Sequence, residues 1–218
     1  MNEGLPVGDA RLMLTFGGRK LECATFSMPA QEARALAVIC HPHPLFGGAM
    51  DNKVVHTLWR TFKSEGVNVL RFNFRGVGES EGEHDGGEGE ADDLAAIIGW
   101  LAKCYPGKSV YLAGFSFGAY VAAAYAARAS RNPLGRLFLV APPVHHFNME
   151  AIRRLDVPTS IIMGQKDELV PAEQVQRWAK RLSESALARL HLLPNATHFF
   201  HGHLPSLKEL VVADLALE

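Results

Sequence analysis

The sequence predicts an α/β fold: one eight-stranded, mostly parallel sheet with helices on both faces, built by residues 1–218 as a single domain. Three observations carry this reading. Two early segments alternate apolar and polar residues around a glycine pair, six later segments are short and almost continuously apolar, and stretches of helical period separate those runs. A continuous apolar strand needs cover on both faces, which parallel strands with crossover helices supply. A chain of 218 residues is long enough for one such domain, burying about 70% of its unfolded surface.

In chain order, residues 11–16 and 20–28 form the expected hairpin about Gly17-Gly18. The parallel strands are expected at 35–40, 67–72, 110–113, 137–140, 160–163 and 190–193. Helices are expected near 52–65, 90–103, 117–129, 172–184 and 204–216, with Pro or Gly close to most of their ends. The Gly- and Glu-rich stretch 76–89 reads as a strand-to-helix loop. Between 140 and 160 only one short helical stretch, near 148–154, is expected, too little to build a lid or cap domain.

Composition excludes several function classes. The 22 basic and 23 acidic side chains leave a formal net charge of -1, so no electrostatic field favours nucleic acid or an anionic membrane. No apolar run approaches the roughly 18 residues of a membrane span, and the N-terminal residues lack the basic and apolar regions of a signal peptide. The expected setting is cytoplasmic. Cys23, Cys40 and Cys104 are odd in number, widely spaced and without a CxxC pair, which suits reduced thiols and gives no thiolate zinc site. The ten histidines are the unusual feature.

Chemistry concentrates at Gly114-Phe115-Ser116-Phe117-Gly118, directly after an apolar strand and directly before an Ala-rich helix. That context makes G-x-S-x-G a nucleophile elbow, because a serine on a strand-to-helix turn takes a strained backbone and flanking glycines let neighbours approach. A serine hydroxyl needs a base to remove its proton and an acid to orient that base. Asp167 and His198 follow in loops that leave the carboxyl ends of expected strands. Glu168 and Asp156 compete for the acid role, Asp156 on the wrong side of its strand. His201 and His203 compete for the base role, but both fall at or inside the last helix.

These residues, with the run His41-Pro42-His43-Pro44-Leu45-Phe46-Gly47-Gly48 and the segment Phe72-Asn73-Phe74-Arg75-Gly76, resemble the α/β-hydrolase superfamily from about residue 10 onward. The likeness is to its small capless bacterial members, similar to dienelactone hydrolases and carboxylesterases. Dienelactone hydrolases carry cysteine at the elbow where this chain has Ser116, so their lactone substrate is not implied. The resemblance implies Ser116 as nucleophile, Asp167, matching G-x-x-D, as acid, and His198 as base. It implies an oxyanion hole made by the Phe117 amide and a second amide from the loop after Cys40. Pro42 and Pro44 have no amide hydrogen. Alignment with the dienelactone hydrolase loop points to Leu45, with His43 as second choice.

His43, Phe46, His145 and Phe199 are the expected substrate contacts. The function that follows is a serine hydrolase, foremost a carboxylesterase acting on short-chain esters. Thioesterase, peptidase and acyltransferase activity use the same triad, and a noncatalytic ligand-binding role is the alternative of another class. No cofactor is expected. A histidine metal site from His41, His43, His198, His201 and His203 lacks an HExxH or carboxylate-histidine spacing. The glycines at 76, 78 and 82 space as GxGxxxG, far from their helix, and do not fit a dinucleotide loop. The expected partner is a small-molecule ester, with no nucleic acid or membrane; oligomeric state is left open.

Overall fold

The computed structural model describes residues 4–128, 133–182 and 187–217. All eight strands lie in one sheet: β1 (Gly8–Phe16), β2 (Arg19–Ser27), β3 (Leu36–Cys40), β4 (Asn68–Phe72), β5 (Val110–Phe115), β6 (Leu134–Val140), β7 (Thr159–Gly164) and β8 (Ala188–Leu193). Their spatial order is β1-β2-β4-β3-β5-β6-β7-β8. β1 pairs antiparallel with β2, and β2 with β4; every other pairing is parallel. The burial patterns carry the same division. β1 alternates exposed and half-buried residues along most of its length, whereas every residue of β3, β4, β5 and β7 is buried.

Among the described residues five α-helices connect and close the sheet: α1 (Lys53–Ser64), α2 (Glu88–Cys104), α3 (Phe117–Arg128), α4 (Ala172–Leu182) and α5 (Leu204–Leu215). The strand order runs one way from β3 to β4 and the other way from β5 to β8. Right-handed crossovers therefore place α1 on the opposite face from α2, α3 and α4. α1 packs on α5 and α2 on α3 accordingly. The expected helix ends at 129 and at 183–184 lie outside the described residues, as do the extreme ends of the expected 1–218 domain. Residues 141–158 hold one 3-10 turn, Met149–Ala151, and no inserted domain.

The order reversal at β3 and β5 opens a crevice at the carboxyl edge, the place where open α/β sheets bind ligands. The loops that leave β3, β5, β7 and β8 meet there. Cys23, Cys40 and Cys104 form no disulfide among the described residues, and burial raises the thiol pKa of the first two, that of Cys23 to about 12, so neither is a nucleophile at neutral pH. No helix among the described residues is long and apolar enough to cross a membrane.

Candidate active site

Ser116 sits between the last residue of β5 and the first of α3 with φ 54°, a left-handed backbone that is unfavourable for a side-chain-bearing residue. The turn survives because its neighbours fit. A Cβ on Gly114 would fall 2.2 Å from the Gly118 carbonyl oxygen, and one on Gly118 would fall 2.4 Å from that of Cys40. The Ser116 amide donates to the Val140 carbonyl at 2.9 Å, fastening the elbow to the end of β6.

The loops after β7 and β8 bring the other two side chains to it. His198 Nε2 lies 3.1 Å from Ser116 Oγ, and His198 Nδ1 lies 2.8 Å from Asp167 Oδ2. His198 is 3% exposed. The Asp167 side chain is fully buried, and its Oδ1 accepts from the Leu169 and Val170 amides at 2.9 and 2.7 Å. Those two bonds fix the carboxylate, leaving Oδ2 for the imidazole. The competitors separate clearly. Glu168 accepts from the His198 backbone amide at 3.1 Å, Asp156 pairs with Arg154 at the surface, His203 precedes α5, and exposed His201 meets Phe199.

The loop after β3 departs from expectation at Leu45. Its amide donates to His43 Nδ1 at 3.2 Å, closing a 3-10 turn at Pro44–Phe46, and Leu45 points into solvent away from the cavity. The physical reason is local: His43 caps the turn with its own ring and consumes the amide that alignment favours. The His43 amide, by contrast, enters no hydrogen bond with the described residues, nor does that of Phe117. Behind this loop, His41 is fully buried and holds both ring nitrogens on backbone atoms. Nδ1 donates to the Pro42 carbonyl at 2.6 Å and Nε2 accepts from the Phe74 amide at 2.9 Å. Burial lowers its pKa to about 4, so it stays neutral.

A cavity of about 510 Å³ opens over Ser116, and His43, Phe46, His145 and His198 line it as expected. Phe199 does not. Its ring packs edge-on against His198 at 5.1 Å and turns outward toward Asp51–Val54, so it buttresses the base instead of touching the cavity. His146 lines the cavity beside His145, and Leu169 and Val170 are lining residues not anticipated. Leu169 and Val170 follow from the Asp167 turn, which pulls their backbone inward. Tyr120 stands behind the lining; its position four residues after Ser116 on α3 is the signal that could have found it. Among the described residues no group of three His, Cys, Asp or Glu side chains could hold a metal ion.

Comparison with known proteins shows the family and the fold. The family model for the α/β hydrolase fold matches residues 45–152, and that for serine hydrolases matches residues 101–210. An α/β serine hydrolase homologue from Coxiella burnetii superposes with a TM-score of 0.89 at 37% identity, covering 97% of this chain and 100% of that one. A protein of Xanthomonas campestris, described as an α/β serine hydrolase without lid, superposes with a TM-score of 0.85 at 33% identity, covering 97% and 95%. An uncharacterized protein of Rickettsia prowazekii is 36% identical over 172 residues, 76% of this chain and 71% of its own length.

Proposed function

Because the chain belongs to the serine hydrolase family with the α/β-hydrolase fold, we propose that it is a carboxylesterase that cleaves short-chain esters through an acyl-enzyme on Ser116. The observation that carries this reading is the unbroken line Asp167 Oδ2, His198 Nδ1, His198 Nε2, Ser116 Oγ, with both links at hydrogen-bond distance. As Ser116 Oγ attacks the ester carbonyl carbon, its proton passes to His198 Nε2, and buried Asp167 stabilises the imidazolium that results. His198 then protonates the departing alkoxide. Water repeats the sequence on the acyl-enzyme, losing a proton to His198 and releasing the acid.

The carbonyl oxygen becomes an oxyanion in both steps and needs donors already in place. The Phe117 amide at the start of α3 supplies one. For the second we assign His43, whose amide is unspent and whose ring already lines the cavity. His41 has a positioning part: its two backbone bonds tie Pro42 to Phe74 and hold the strand end from which His43 departs. The test is turnover of a panel of esters, thioesters and amides, with Ser116→Ala as blank. The expected outcome is ester hydrolysis that disappears in the variant, and near-normal turnover by Ser116→Ala would overturn the assignment.

A further inference from the structure

The cavity has two unlike sides. On one, the rings of Phe46, His43, Phe117, Phe147 and Tyr120 form a continuous surface. His43 lies 4.8 Å from Phe46 and 4.9 Å from Phe117, Phe117 lies 5.1 Å from Phe147, and Phe147 stacks on Tyr120 at 4.8 Å and 14°. None of these rings contacts His198, whose ring neighbours are Phe115 and Phe199.

That surface is built to be stiff. Tyr120 is buried over Gly87, where a Cβ would fall 2.5 Å from the tyrosine ring, and the Gly87 amide donates to the buried Glu90 carboxylate at 2.8 Å. Phe147 stands at the mouth, 37% exposed, with φ 56°. That left-handed region is unfavourable for a bulky residue, and such strain persists where surrounding contacts impose it, often at functional sites. Here the contacts are the stacked face of Tyr120 and the tilted ring of Phe117.

The cavity also lacks fixed charge. Among the described residues that line it there is no Asp, Glu, Lys or Arg, and Asp167 is hidden behind His198. Leu45 donates to His43 Nδ1, so the proton of that ring is on Nε2 and the imidazole is neutral. Burial lowers the pKa of both His43 and His145, favouring their neutral forms. A charged group seated here would lose water and find no counter-ion.

We propose that this site selects esters of uncharged acids that carry a flat aromatic ring close to the carbonyl, the ring lying on the Phe147–Phe117–His43 surface. The inference rests on the esterase reading. The orientation follows from the proton path: the leaving oxygen must face His198 Nε2, so the acid portion points away from His198, toward the rings. Offset or edge-on ring packing adds to what area burial alone gives, and a saturated ring of equal size forgoes it.

The test compares ethyl phenylacetate with ethyl cyclohexylacetate, matched in reach, each rate corrected for its alkaline hydrolysis. For the natural chain kcat/KM should favour the aromatic ester by about three- to tenfold, and Phe147→Leu should bring the ratio close to one. A second arm uses the natural chain alone: ethyl 4-carboxyphenylacetate should be turned over at least about tenfold less efficiently than ethyl 4-methylphenylacetate. Ratios near one in the natural chain, with ethyl butyrate still hydrolysed through Ser116, would overturn the aromatic preference and leave the esterase reading standing. Turnover of no ester at all would overturn both.

Discussion

The loops after β3 and β8 each deliver a buried histidine to the carboxyl edge of the sheet, yet the two imidazoles do opposite work. His41 spends both nitrogens on backbone atoms, so its ring is a fixed strut with a pKa lowered to about 4. His198 spends its nitrogens on a carboxylate and a hydroxyl, both side chains, so a proton can enter its ring and find compensation. Burial alone thus says little about a histidine's role. What distinguishes them is whether the partners can answer a change of charge.

The largest effect that can break this contrast is on catalysis. Ser116→Ala, His198→Gln and Asp167→Asn should each lower ester turnover by about 10⁴-fold or more while the fold persists, because the three act as one unit. Circular dichroism should be unchanged, and a fluorophosphonate should label Ser116 and no other residue. Labelling elsewhere would move the nucleophile. Full activity in His198→Gln would erase the distinction between the two histidines.

A smaller effect probes the loop that His41 holds. His43 has φ -57° and ψ 123°, a backbone that proline adopts without strain, so His43→Pro removes the amide hydrogen with little change of path. His43→Ala removes the ring and keeps the amide. If this amide is the second oxyanion donor, kcat should fall about 10²–10³-fold further in His43→Pro than in His43→Ala. Equal values in the two variants would return the role to another residue of the loop.

The strut itself should be visible as acid sensitivity. An unfolded histidine titrates near its ordinary 6.5, whereas His41 in the fold binds a proton only near 4. Between those values the unfolded chain binds more protons, so the contribution of His41 to stability is complete above pH 6.5 and is lost as pH falls toward 4. Urea unfolding at pH 7.5 and at pH 5 should differ by about 2 kcal/mol from this residue. His41→Gln should be less stable at pH 7.5 but show a flatter acid limb, and an unchanged limb would deny His41 this part.

Sequence and structure agree where the signal is a long-range pattern and part where it is a local bond. The eight strands and five helices were legible because continuous apolar runs and helical periods extend over whole elements. The start of β6 at Leu134 was not, since Gly135 and Arg136 interrupt its apolar run, although the Arg136 side chain is buried. The meeting of Ser116, Asp167 and His198 was legible from three residues at the carboxyl ends of three strands. The Leu45 amide was not, because its fate turns on a 3.2 Å bond to the ring two residues earlier. Phe199 follows His198 directly, and nothing in its neighbours tells which way its ring turns. The ring surface needed three dimensions, since Phe46, Phe117 and Phe147 come from three separate segments: the turn after β3, the start of α3 and the loop after β6.

The smallest expected effect concerns acyl chain length, and it sharpens the contrast between the two sides of the cavity. Residues 141–158 add no lid over Ser116, and Phe46, at the outer end of the ring surface, is 87% exposed. A linear acyl chain gains about 0.8 kcal/mol per methylene only where the methylene leaves water. Near Ser116 the walls supply that burial; beyond Phe147 and Phe46 each further carbon returns to solvent. A flexible chain also loses rotamer freedom on ordering, which a rigid ring does not. Efficiency on p-nitrophenyl esters should therefore peak at about two to six acyl carbons and decline by about a fewfold per added pair thereafter. A steady rise to twelve carbons, measured below the micelle concentration, would mean that the exposed rings close over the chain and that the open side of the cavity is a tunnel wall.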